Sequence, residues 1–119
     1  MDVSIKHEGD SLYIITCPSR MEWNARTDLV ESLKTAAGGQ PPRGVIVDLV
    51  DVSYINSAGL GAIFALRKYV EQAGGATAVA RPNVTIARLL RTVNLAALMP
   101  VADSLEQARA SLPATTPIV

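Results

Sequence analysis

The feature of this sequence that most restricts its fold is the short apolar run from Gly44 to Leu49. Three consecutive β-branched residues, 45–47, are typical of a strand that is covered on both faces in a parallel sheet. A helical period then begins near Ser57 and ends at Gly74-Gly75, and residues 76–80 predict the next strand. Strand, helix and strand in this order favour a right-handed crossover between parallel neighbours, so the chain should contain a βαβ unit.

The rest of the chain adds strands and helices to this unit. Residues 3–7 and 11–17, parted by a polar turn, predict an antiparallel hairpin. The further predicted elements are a helix over about 22–37, a helix over about 57–73, a third helix after Pro82, a weak strand at 98–102 and a last helix capped by Asp103. We therefore expect an α/β fold with one domain over residues 1–112, a mixed central sheet with helices packed mainly on one face, and a loose tail over 113–119.

Composition and charge exclude several classes of function. The chain is 49% apolar and carries 11 basic and 11 acidic side chains, so it lacks the positive field that binds nucleic acid or an anionic membrane surface. Its apolar runs are too short to cross a bilayer, and residues 1–10 show no signal-peptide pattern, which predicts a cytoplasmic protein. With Cys17 and His7 as the single cysteine and histidine, we expect no internal disulfide, no zinc site and no cofactor, and a Cys17 that packs in the core.

The turn from the strand at 44–49 into the second helix is the candidate site, because ligands of α/β folds bind at carboxyl strand ends. Asn56 and Ser57 stand directly before the apolar helix, and either side chain can cap its free backbone N–H groups. Under a functional interpretation, Ser57 accepts a phosphoryl group, whose charge of about −1.5 to −2 at the positive end of the helix would leave the fold intact. Gly59 and Gly61 favour that interpretation, since they remove side chains from the first helical turns.

The same stretch resembles the STAS domains of bacterial anti-sigma factor antagonists. The resemblance rests on Asp48-Leu49, Val52, Ile55-Asn56-Ser57-Ala58-Gly59-Leu60-Gly61 and Gly74-Gly75, with similar segments at Ser19-Arg20-Met21-Glu22 and over 82–95. It covers roughly residues 3–110. It implies partner switching: the unmodified protein binds an anti-sigma factor with serine kinase activity, phosphorylation at Ser57 releases that kinase, and a separate phosphatase resets the switch.

The candidate partner-binding residues lie in two segments at the same end of the predicted sheet. They are Arg20, Glu22, Trp23, Asn56, Ser57, Ala58, Gly59, Leu60 and Gly61. Trp23 fits either an interface anchor or a core residue, and homodimer formation stays open.

Departures from the family pattern keep a second function open. Ala58 lacks a second hydroxyl, Asn56 replaces an acidic residue, Glu22 stands where Asp is usual, and Asn94 replaces a glycine. The alternative is a STAS protein that is never phosphorylated and serves as a binding subunit of a larger complex, such as a lipid-transport ABC system or a signalling assembly.

Enzymatic interpretations fit the sequence less well. The Gly59-Leu60-Gly61 run is similar to a dinucleotide-binding loop, but Phe64 occupies the third glycine position and the next strand has no acidic residue. Asp48 and Asp51 lack a nearby histidine or metal cluster, and a solvated strand end explains both. We therefore expect a protein that acts by binding and not as an enzyme.

Overall fold

The fold is a mixed sheet with helices on both faces, in a computed structural model that describes residues 3–9, 12–22, 29–40 and 42–112. In chain order the elements are β1 (Ser4–Glu8), β2 (Leu12–Thr16), β3 (Arg20–Met21), α1 (Leu29–Ala37), β4 (Gly44–Asp48), β5 (Tyr54–Ile55), α2 (Ser57–Gln72), β6 (Ala76–Ala80), α3 (Val84–Thr92), a 3-10 helix (Leu95–Ala97), β7 (Val101–Ala102) and α4 (Leu105–Ser111). None of the helices in these ranges is both long and apolar enough to cross a membrane.

The main sheet has the strand order β1-β2-β4-β6-β7. β1 and β2 are antiparallel, whereas β2 with β4, β4 with β6 and β6 with β7 run parallel. Ile46 of β4 lies between Ile14 of β2 and Ala78 of β6. The predicted hairpin and the predicted βαβ unit are therefore confirmed, and β4 is the middle strand, buried at all of its positions.

Alternation along the strands divides the core between the two faces of the sheet. One face carries residues such as Ile15 and Val47, which share a cluster with apolar residues of α1, α2 and α3. The other face carries Ile14, Ile46 and small residues such as Ala78, in a cluster with Ala108 of α4. Among the described elements, α1, α2 and α3 thus cover one face and the short helix α4 covers the other, as expected from the sequence.

Several boundaries differ from the prediction. Two residue pairs, Arg20 with Tyr54 and Met21 with Ile55, form a separate parallel sheet of β3 and β5 that the sequence pattern did not reveal. The first helix does not include Glu22, and its predicted start at 23–28 lies outside the described residues. The strand predicted at 98–102 shrinks to β7, because the N–H groups of Leu98 and Met99 donate to the Leu95 carbonyl oxygen and so close the turn that ends the 3-10 helix. The predicted tail, 113–119, also lies outside the described residues.

The cap of α4 is also one residue later than predicted. Ser104 and not Asp103 is the N-cap, since the Ser104 hydroxyl accepts a hydrogen bond of 3.0 Å from the Gln107 N–H. The Asp103 backbone N–H instead donates to the Gln107 side-chain oxygen at 3.1 Å. Both bonds involve Gln107, and together they hold the start of α4.

Cys17 directly follows β2 and is 1% exposed. Burial raises the pKa of its thiol to about 12, and the nearby charge of Asp48 adds to the increase. The thiol therefore stays protonated at neutral pH and packs as a small apolar group, which confirms the prediction for this residue.

Thr77 carries the buried polar side-chain atom that finds no hydrogen-bond partner among the described residues. The residue is 5% exposed, lies on the same sheet face as Val79 and stands opposite Val45 of β4. A buried hydroxyl without a partner destabilises a fold by about 1–3 kcal/mol. This position therefore reduces the stability of an otherwise apolar face.

Replacing Thr77 by valine should raise the free energy of unfolding by about 1 kcal/mol, because the side-chain shape is kept and the unpaired hydroxyl is removed. Urea denaturation followed by circular dichroism measures the change. The same substitution at Thr35, which is exposed on α1, serves as the control and should change stability by less than about 0.5 kcal/mol. A loss of stability in Thr77→Val would show that the hydroxyl has a partner after all.

Candidate functional site

The candidate site lies where the chain leaves the middle strand and enters the longest helix. After β4 the chain turns through residues 49–53, adds β5 to the small sheet, and begins α2 at Ser57. The backbone N–H of Asn56 donates to the Met21 carbonyl oxygen at 3.2 Å, which attaches the helix start to β3. The predicted strand-to-helix junction is therefore present, with one short strand inserted in it.

Asn56, and not Ser57, is the N-cap of α2. The Asn56 side-chain oxygen accepts a hydrogen bond of 2.9 Å from the Gly59 N–H, and its backbone is extended. Ser57 is consequently the first helical residue, and it is exposed. Its hydroxyl makes no hydrogen bond to the residues that the structure describes. The capping explanation for Ser57 therefore falls away, and the hydroxyl is accessible at the positive end of the helix dipole.

Gly59 is a glycine because α2 packs closely on β3. A Cβ atom at position 59 would overlap the Met21 carbonyl oxygen and would lie 2.9 Å from the Ile55 Cγ1 atom. Leu60 is 8% exposed and belongs to the main core. At Gly61, by contrast, the residue is exposed and an added Cβ would meet nothing within 4 Å. Two of the predicted contact residues thus face the interior, and Gly61 faces outward.

Arg20 and Glu22 are brought to the same place by the small sheet. The Arg20 guanidinium donates to the Glu22 carboxylate at 3.0 Å and lies 4.4 Å from the centre of the Tyr54 ring. These bonds lower the pKa of Glu22 below its ordinary value. Tyr54 is 41% exposed and stands three residues before Ser57. Trp23 lies outside the described residues.

Asp48 is not the solvated strand end that the sequence suggested. It is 1% exposed and forms a two-pronged ion pair with Arg81, whose Nε donates to Oδ1 at 3.1 Å and whose Nη2 donates to Oδ2. These hydrogen bonds raise the pKa of Arg81 further above its ordinary value. Asp51, three residues further along the chain, is exposed.

The loop over 49–53 is held from two sides. The Asn83 side-chain nitrogen donates to the Val52 carbonyl oxygen at 3.1 Å. On the opposite side, the backbone N–H groups of Ser53 and Tyr54 both donate to the Ser19 carbonyl oxygen, at 2.8 and 3.2 Å. Among the described residues, no group of His, Cys, Asp and Glu could hold a metal ion. The arrangement places the exposed Ser57 hydroxyl next to a loop that hydrogen bonds hold on two sides.

The two glycines of the first helical turns should respond in opposite ways to alanine. Gly59→Ala should lower the free energy of unfolding by about 1–3 kcal/mol, because the added methyl group meets the β3 backbone. Gly61→Ala is the matched control and should raise it by up to about 1 kcal/mol, since alanine favours the helix and the space is open. Thermal and urea unfolding of both variants test this expectation. Equal effects at the two positions would contradict the close packing of α2 on β3.

Comparison with known proteins places the chain beside one family. A family model described as the STAS domain matches residues 4–108. A candidate anti-sigma factor antagonist from Thermotoga maritima, TM1081, is 25% identical, with a TM-score of 0.71 over 91% of this chain and 92% of that one. The anti-sigma factor antagonist SpoIIAA in its unphosphorylated form is 17% identical, with a TM-score of 0.74 over 91% and 93%. The phosphorylated form of the Bacillus protein SpoIIAA is 16% identical, with a TM-score of 0.64 over 92% of this chain and 97% of that one. At these identities the likeness to SpoIIAA is one of fold.

Proposed function

Because this chain belongs to the STAS domain family, we propose that it is an anti-sigma factor antagonist that switches partners through Ser57. The unmodified protein binds an anti-sigma factor that has serine kinase activity, in the cytoplasm. That kinase transfers the γ-phosphoryl group of ATP to the Ser57 Oγ atom and releases ADP, and a phosphatase later removes the group by hydrolysis. The chain supplies the acceptor and the docking surface, and it catalyses neither step.

The single observation that carries this proposal is the division of roles between two adjacent residues. Asn56 satisfies the free N–H group of the helix, and this leaves the exposed Ser57 hydroxyl without a structural task. A buried or capping serine would have to break a stabilising bond before it could be modified. Ser57 can be modified without such a loss.

A phosphoryl group at Ser57 is compatible with the intact fold. The first turn of α2 contains no acidic residue, so the new charge meets no carboxylate there. The positive end of the helix dipole also favours a negative charge at this position. Phosphorylation should therefore change the surface around the helix start and leave the sheet and the core unchanged.

The charge of a phosphoryl group at Ser57 would weaken partner binding, because the contact surface removes that charge from water. An unpaired charge in a contact surface costs several kcal/mol, and about 1.4 kcal/mol already corresponds to tenfold in affinity. The proposed contact surface comprises the exposed residues Arg20, Ser57 and Gly61 and the partly exposed residues Glu22, Asn56 and Ala58, together with Trp23. Gly59 and Leu60 contribute to it by fixing the helix on the core.

Two substitutions relative to the family pattern favour a second function. Ala58 removes one hydroxyl of the phosphorylated run, and Asn56 keeps the cap but brings no negative charge. A constitutive binding subunit of a larger assembly, such as a lipid-transport ABC complex or a signalling complex, would need neither. The two functions predict different outcomes in the same phosphorylation experiment.

Incubation of the protein with its cognate anti-sigma kinase and ATP should add the mass of one phosphoryl group, observed by intact-mass spectrometry. Ser57→Ala should take up none. Ser53→Ala removes an exposed hydroxyl from the preceding loop and should be modified like the unchanged chain. An unmodified chain, or a phosphate on another residue, would exclude the switch at Ser57 and leave the constitutive function.

Ser57→Asp should weaken binding to the same kinase by about tenfold or more, since a permanent charge enters the contact surface. Isothermal titration calorimetry measures the change in Kd, with Ser57→Ala expected to bind nearly as the unchanged chain does. Ser4→Asp places an equal charge at an exposed position on β1 and serves as the control. Equal affinities of Ser57→Asp and Ser4→Asp would argue against a docking surface at the helix start.

A further inference from the structure

Two residues that follow β6, Arg81 and Asn83, hold the loop that leads to Ser57, and we propose that they position this serine for its kinase. The inference rests on the proposed function, because it concerns the same hydroxyl. Arg81 lies outside the segments on which the family resemblance rests, and Asn83 lies in the segment over 82–95, away from the switch in the sequence. We call Arg81 and Asn83 the anchor residues.

Arg81 acts on the beginning of the loop through Asp48. The buried Asp48 carboxylate receives both prongs of the guanidinium, and its Oδ1 atom also accepts a hydrogen bond of 3.2 Å from the Val50 N–H. The carboxylate therefore joins the end of β6 to the first turn of the loop. A fork of two parallel hydrogen bonds fixes direction as well as distance, which a lysine ammonium does not.

The backbone of Arg81 indicates that this geometry is maintained at a cost. Its φ of 59° lies in the left-handed region, which few residues other than glycine occupy. Such a conformation persists where surrounding contacts determine it. Here the Arg81 N–H donates to the Ala102 carbonyl oxygen at 2.9 Å, and the side chain is engaged by Asp48.

Asn83 acts on the end of the loop and on α3 at once. Its side-chain oxygen accepts the Ile86 N–H at 2.8 Å and so caps α3. Its side-chain nitrogen donates to the Val52 carbonyl oxygen at 3.1 Å. The capping bond is local to α3, whereas the second bond reaches a residue far away in the sequence. The two roles use different atoms of one side chain and can be separated by mutation.

The path from the anchor residues to the hydroxyl is short. Beyond Val52 the chain passes through β5, which is bonded to β3 on its other side, and reaches Ser57. The loop is thus held between the anchor residues and β3. Loss of the anchor bonds would free the loop on one side and would let the helix start shift relative to a docked kinase.

The variants that test this inference are Asn83→Asp and Arg81→Lys. Asn83→Asp keeps an oxygen for the α3 cap and replaces the donor to Val52 by an acceptor. Arg81→Lys keeps the positive charge beside the buried carboxylate and removes the fork. Arg109→Lys is the matched control, because Arg109 forms the same kind of forked pair with Glu8, at 2.8 and 2.9 Å, between α4 and β1.

Amide hydrogen exchange measured by NMR reports on the loop whether or not a kinase is present. In both anchor variants the N–H groups of Val50, Val52 and Asn56 should exchange about tenfold faster, while that of Ile46 in β4 should be unchanged. Arg109→Lys should leave all four rates unchanged.

A kinase assay tests the same inference at the hydroxyl. With either anchor variant as substrate, kcat for phosphorylation should fall about tenfold and KM should change much less, since docking is kept and the hydroxyl is misplaced.

Unchanged exchange of the loop amides in both anchor variants would overturn the inference. So would equal kcat values for the anchor variants and Arg109→Lys. A complete absence of phosphate on the unmodified chain would instead remove the proposed switch, and the exchange rates alone would then decide whether Arg81 and Asn83 order the loop. The two failures are thereby distinguishable.

Discussion

The burial of β4 on both faces is the constraint on which the rest of this structure depends. A strand that is covered at every position requires helices above and below the sheet, and in the described part of the chain α1, α2 and α3 lie on one face and α4 on the other. Asp48 at the end of this strand is buried as well. Its carboxylate charge therefore needs an oppositely charged partner nearby. Arg81 provides it, so the demand for a closed core also shapes the loop that follows.

Within residues 56–61, some positions build the helix start and its packing on the core, and others lie at the surface. Asn56 closes the helix, Gly59 allows contact with β3, and Leu60 fills the core. Ser57 and Gly61 face outward. Much of the motif by which this family is known therefore explains how the helix start is built, and only a small part of it remains for recognition by a partner.

Regular elements were predictable from the sequence because each repeats a pattern over several residues. The hairpin, β4, α2 and β6 lie within about two residues of their expected ranges. β3 and β5 have only two residues each, too few for any period to appear. The junction at 56–57 was also foreseen, but the pairing of Asp48 with Arg81 was not, because 33 residues separate them and nothing local to either indicates the other.

The contact of α2 with β3 has an unequal consequence for sequence variation. The atom that excludes a side chain at Gly59 is the carbonyl oxygen of Met21, which every amino acid possesses. Position 21 can therefore exchange one buried apolar residue for another of similar volume while the contact persists. Position 59 does not tolerate a larger residue. Homologues that share this fold should therefore vary at the strand position and keep glycine at the helix position.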